Sequence, residues 1–125
     1  GYATSEKTSA FNIATLNEYI CNPASTLVVG TLPATAAVGD RFRVAGKGAA
    51  GWKIAQNASQ YIVTPVKNSA TGTGGFIQSG DISACVELVC TVANTEFTVV
   101  DSEGAYTVKN TLSYKQGGTW TSYGV

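Results

Sequence analysis

Histidine is absent from this 125-residue chain. That excludes every catalytic triad or dyad with an imidazole base and every His-ligated metal site. Charge is scarce too: charged residues make up 13%, about half the usual ~25% share. Eight basic side chains balance eight acidic ones, so no large field attracts nucleic acid or an anionic membrane. No apolar run is long enough to span a bilayer, and the opening residues do not read as a signal peptide. Methionine is missing even at position 1, where Gly1 stands; we expect an excised piece of a longer protein. These absences point to a soluble, near-neutral, non-enzymatic domain, with no catalytic residue, no cofactor and no metal.

Cysteine is also sparse. The three are Cys21, Cys85 and Cys90, an odd number, so at least one is unpaired within the chain. Cys85 and Cys90 fall in one apolar run, Ile82 to Val92. Five residues of strand separate Cα atoms by roughly 16 Å and put the side chains on opposite faces. A disulfide needs Cα atoms within about 7 Å, so these two do not bridge on a continuous strand. Cys21 with one of them stays open, and three buried thiols acting as small hydrophobes is the simpler expectation.

What is abundant favours β-structure. Valine outnumbers leucine, threonine is frequent, and fourteen glycines supply turns. Residues 1–10 read as a linker or edge segment. Phe11 to Ile20 fits one strand or a short helix. Leu27-Val28-Val29, Arg41 to Val44, Trp52 to Gln56, Gln60 to Val66, Phe76 to Gln78, Ile82 to Val92, Phe97 to Val100, Tyr106 to Lys109, Thr111 to Tyr114 and Thr119 to Val125 read as strands. Asp101 to Gly104 reads as a hairpin turn, and Asn68 to Gly75 as the longest flexible loop. Short strands with turn signals every 8–12 residues predict an all-β sandwich, barrel or prism.

The most specific stretch is Thr31 to Ile62, TLPATAAVGDRFRVAGKGAAGWKIAQNASQYI. Gly74 to Ser79, Val86 to Cys90 and Asn94 to Val99 extend it. With these the chain resembles a β-structured module at the C-terminal ends of phage tail fibres and tailspikes and of some bacterial collagen-like or fibrous adhesins. The pattern runs LPA…GD…V.GKG.GGW.I.Q..GQ.I…G.L.S…V.L.C…N..F.V…G and covers roughly Asn22 to Gly104. Ser59 stands where the pattern prefers glycine. The resemblance implies a parallel homotrimer at a fibre end, located on a virion tail fibre or on a bacterial cell-surface or secreted fibre; it names no ligand. On this reading residues 1–10 are a linker or the end of a shaft and residues 11–125 are one fibre-tip domain. The module spans about 22–104 and the tail 105–125.

Candidate site residues fall in two groups. Trp52, Ile54 and Gln56 share a strand face and are expected in the core or at the trimer interface. A buried, unpaired amide costs about 1–3 kcal/mol, so Gln56 needs backbone partners, two copies of itself around a threefold axis, or an edge position reaching water. Trp52 is expected as core rather than as a sugar platform. Arg41, Arg43, Lys47 and Lys53 form a basic stretch that fits acidic glycans or, more simply, pairs with Asp40, Glu87 or Glu96. In the tail, Tyr114, Lys115, Trp120 and Tyr123 combine flat rings with polar neighbours, as a glycan site requires. The same rings also suit closure of the β-body, and both readings stay open. The acidic pairs Asp101/Glu103 and Asp81/Glu87 single out no glycosidase pair. The expected function is a fibre head or tip domain that trimerises the fibre and binds a surface glycan or a bacterial or host envelope component. The alternatives are a purely structural trimerisation cap and a monomeric carbohydrate-binding module.

Overall fold

The computed structural model describes the backbone of residues 2–116 and 119–124 and the side chains of residues 2–110. The chain forms β1 (Ala3–Lys7), β2 (Phe11–Asn12), β3 (Asn17–Cys21), β4 (Val28–Thr31), β5 (Arg41–Gly46) and β6 (Trp52–Ala55). Then come β7 (Tyr61–Val63), β8 (Phe76–Ser79), β9 (Cys85–Val92), β10 (Glu96–Glu103), β11 (Tyr106–Lys109), β12 (Thr111–Gln116) and β13 (Thr119–Gly124). No helix occurs among the described residues. None is therefore long and apolar enough to cross a membrane.

Two sheets enclose one core. One runs β1-β3-β5-β9-β10-β7 and the other β11-β8-β6-β4-β2, while β12 and β13 form a two-stranded sheet of their own. From β1 to β9 the chain changes sheet at every step. Successive strands within a sheet therefore start out in the same direction. β1, β3 and β5 are parallel neighbours, as are β2, β4 and β6. The all-β expectation holds, but an arrangement of antiparallel strands does not: half of the ten ladders are parallel. The physical reason lies in the connections. From β1 to β6 each loop carries the chain across the core to the other sheet, so β1-β3-β5 and β2-β4-β6 are joined by crossovers and not by the direct hairpin return seen at β9–β10.

Other expectations shift at their edges. Of the two readings open to residues 1–10, residues 3–7 take the edge segment: β1 is hydrogen-bonded along β3 as the sheet's edge strand. Phe11 to Ile20 breaks into β2 and β3, because Leu16 at φ 64° turns the chain between them. Asp101 to Glu103 stays in β10, and the reversal occurs at Gly104, whose φ of 78° suits a residue without Cβ.

Strand alternation fills the core. Phe42 and Val44 point inward from β5 with Leu88 and Val86 of β9, and meet Trp52, Ile54 and Ile77 of the other sheet. The Phe42 and Phe97 rings lie 6.3 Å apart and tilted, a favoured aromatic geometry. Trp52 is the largest fully buried side chain. Its indole N–H donates to the Ala84 carbonyl over 2.8 Å, so no buried donor is wasted.

Candidate functional site

Trp52, Ile54 and Gln56 all lie inside the chain's own core. The Gln56 amide nitrogen donates toward the carbonyls of Gln60, Ala70 and Gly72 at 2.9, 2.9 and 2.8 Å. Its oxygen accepts from the Ser69 hydroxyl, which in turn accepts the Ile62 N–H. Of the three situations open to Gln56, this is the one with backbone partners. Its hydrogen-bonding capacity is used within one chain, so a threefold meeting of glutamines is not required. Gln60, equally buried, accepts the Asn57 N–H and donates to the carbonyls of Pro33 and Asn94. The Asn68–Gly75 loop is correspondingly not a free rim. Ser69, Ala70 and Gly75 are buried against Gln56, and a Cβ on Gly75 would overlap the Ala70 carbonyl.

The basic stretch is largely neutralised. One straight row crosses five strands: Thr4, Glu18, Arg43, Glu87 and Asp101 face one another in register. Arg43 pairs with Glu18 at 3.0 Å and with Glu87 at 3.6 Å, and reaches Asp101 at 4.0 Å. Arg41 also reaches Glu87, and Lys47 reaches Glu6. Lys53 lies 4.1 Å above the Phe76 ring. Tyr2 lays its hydroxyl on Glu87; burial first, then that carboxylate, pushes its pKa up to about 12.

Three of the four acids in the Asp101/Glu103 and Asp81/Glu87 pairs have structural partners. Asp81 accepts the Ala105 N–H over 2.7 Å and so fixes the turn into β11. Glu87 and Asp101 both belong to the Arg43 row. Cys21, Cys85 and Cys90 are all free thiols. Burial pushes the Cys21 thiol up to about 11. Cys90 is interior, whereas Cys85 is half-buried with its sulfur 3.9 Å from Arg43, on the opposite face as the odd spacing requires. Among the described residues no group of three acidic or thiol side chains is placed to hold a metal ion.

Two surface grooves are large enough for a ligand. One, about 510 Å³, runs between Asn12–Thr15 and Thr31–Thr35, with Asn57 on its wall. The other, about 520 Å³, lies where edge strands β7 and β11 leave the seam between the sheets. Thr64–Lys67 forms one wall, and Ser102 with Gly104–Val108 forms the other. Tyr106 is half-buried there beside Val108. Burial raises its pKa, opposed by the neighbouring hydroxyls of Thr64 and Ser102. The Thr64–Lys67 wall is a tight turn closed by the Thr64 hydroxyl, which donates to the Lys67 carbonyl over 2.7 Å. At its tip Val66 is 85% exposed. The sequence reads as a strand from Gln60 ended by Pro65; the strand stops at Val63, and the turn that Pro65 enters forms the groove wall.

The side chains of Tyr114, Lys115, Trp120 and Tyr123 lie outside the described residues. The backbone register of the β12–β13 hairpin sets Lys115 opposite Trp120, Tyr114 opposite Thr121 and Leu112 opposite Tyr123.

The residues that carry the fibre-end resemblance hold the fold together. Leu32 is buried, Pro33 offers its carbonyl to Gln60, Gly39 adopts a φ of 97°, and the Asp40 carboxylate accepts the Ala37 N–H. Ser59, where the pattern prefers glycine, has a φ of 70°, the left-handed conformation glycine adopts most cheaply. No protein-family model matches the chain, and a search of curated proteins gave no match.

Proposed function

We propose that this domain is a non-enzymatic head or tip of a trimeric fibre, assembled as a parallel homotrimer, that binds a surface glycan or envelope component. The observation that carries the assembly reading is the set of free sheet edges. β1 and β2 end their sheets with no further strand beside them, and strand edges left in water invite pairing unless something covers them. Exposed aliphatic side chains at Leu16, Val38 and Val92 lie on the same body. Threefold assembly covers such edges and such side chains together. Ligand contact falls to the hairpin, where Lys115 and Trp120 stand opposite each other; an amphipathic ring beside a donor suits a sugar's apolar face and hydroxyl rim.

Light scattering on the purified domain tests the assembly. A trimer at micromolar concentration is expected, and a clean monomer refutes the reading. Binding of the labelled domain to whole bacterial cells, competed by their isolated surface polysaccharide, tests the ligand. A trimer that binds no cell and no polysaccharide is a structural cap.

A further inference from the structure

We infer that the groove between the Thr64–Lys67 turn and β11 is a second saccharide-binding site, for a neutral sugar unit laid against Tyr106 and Val66. This rests on the glycan-binding reading above and adds a place for the ligand away from the hairpin.

Four observations converge. First, the lining has the required composition. Tyr106 and Val108 offer a half-buried apolar surface, Val66 stands exposed at the rim, and Ser102 and Thr107 supply exposed hydroxyls. Apolar walls with a few placed polar groups are what a sugar ring needs, since its C–H face stacks while its rim hydrogen-bonds.

Second, the walls are rigid. The Thr64 hydroxyl donates to the Lys67 carbonyl and also receives the Lys67 and Val66 N–H groups. Across the groove, Ala105 is held on both sides: its N–H by Asp81 and its carbonyl by the Gly80 N–H, each over 2.7 Å. A site fixed before the ligand arrives loses little entropy on binding.

Third, the rungs that an added peptide strand would need are engaged along the β7 side of the groove and at Lys109 of β11. Val63 bridges Asn68, the Thr64 N–H bonds the Lys67 carbonyl, and Ala70 takes the Lys109 carbonyl. Strand addition depends on such rungs, so the remaining recognition chemistry is side-chain hydroxyls and an aromatic face.

Fourth, the strand that forms one wall leads into the hairpin: Asn110 alone separates β11 from β12. Where one polysaccharide chain spans both places, two weak contacts multiply.

The experiment is an amide-resolved NMR titration of the full chain. The probes are methyl α-glucoside, methyl β-galactoside, N-acetylglucosamine and, as an acidic control, N-acetylneuraminic acid. At least one neutral probe is expected to shift the amides of residues 64–67 and 104–108. Tyr106→Ala should weaken that binding by about tenfold or more. Tyr106→Phe, which keeps the ring, should retain it. Val66→Asp changes a side chain that is 85% exposed, so the fold survives, and the groove shifts should vanish. Trp120→Ala should leave them in place. Shifts confined to residues 111–124 overturn the groove and leave the glycan-binding reading standing. Silence from every probe, together with no binding to cells, overturns both. Groove shifts that grow with protein concentration alone, or that an extended Thr/Val heptapeptide produces more strongly than any sugar, overturn the inference in favour of a second copy or a peptide.

Discussion

The side-chain nitrogen of Gln56 lies 2.9 Å from the main-chain oxygen of Gln60, four residues on and inside the same chain. This contact closes the turn around Asn57–Ser59 and ties β6 to β7 through buried groups. Gln56→Leu removes the donor and strands the Ala70 and Gly72 carbonyls in the interior. The expected cost is about 1–3 kcal/mol, read from urea unfolding. The oligomeric state should not change, because the amide serves its own chain. A shift in oligomeric state with unchanged monomer stability refutes this assignment.

Ser59 gives the opposite sign. A non-glycine residue at φ 70° pays roughly 1 kcal/mol in Cβ crowding. Part of what glycine recovers there is offset by its freer unfolded chain. Ser59→Gly should therefore raise stability by up to about 0.5 kcal/mol, and Ser59→Val should lower it. Thermal melts of the two variants check both directions.

Two pairs make stability depend on pH. The Glu96 carboxyl is held below its ordinary value, first by the Thr91 hydroxyl and then by Tyr61. A lowered folded pKa means that its stabilisation is present above the unfolded value and is lost as pH falls through the folded one. Glu96→Gln should flatten the acid limb of the stability profile. Tyr2 acts at the other extreme. With its pKa pushed up to about 12 by burial and by Glu87, its stabilisation is complete below about 10 and fades as pH rises through 12. Ultraviolet titration should show a tyrosine titrating near pH 12, and that step should disappear in Tyr2→Phe.

Arg43 sits between carboxylates on β3, β9 and β10, yet its side chain is still 27% exposed. Water and salt screen such a row. A double-mutant cycle between Arg43 and Glu87 should give a coupling of about 1 kcal/mol or less, shrinking in high salt. A coupling several times larger would show that a partner subunit covers this face.

Trp120 separates binding from packing. On the proposed function, Trp120→Ala leaves trimer and melting temperature nearly intact and removes cell binding, at about 1–3 kcal/mol per site. A loss of about 3–5 kcal/mol of stability would instead make Trp120 part of the β-body. Melting curves beside a cell-binding assay distinguish the two.

Local pattern alone determined much of this protein. The alternation in Arg41-Phe42-Arg43-Val44 and in Trp52-Lys53-Ile54 assigned each side chain to core or surface, because a strand turns its side chains with a period of two. The odd spacing of Cys85 and Cys90 placed them on opposite faces for the same reason. Tertiary structure decided the rest. No local signal states that successive strands cross the core, so the parallel ladders of β1, β3 and β5 and of β2, β4 and β6 came from the routing of loops. The partners of Gln56 at Ala70 and Gly72, and of Arg43 at Glu18 and Asp101, are distant in sequence and meet only through strand order. The groove at Tyr106 exists for the same reason: Thr64–Lys67 and Tyr106–Val108 are separated by about forty residues of chain and become neighbours where the two sheets end side by side.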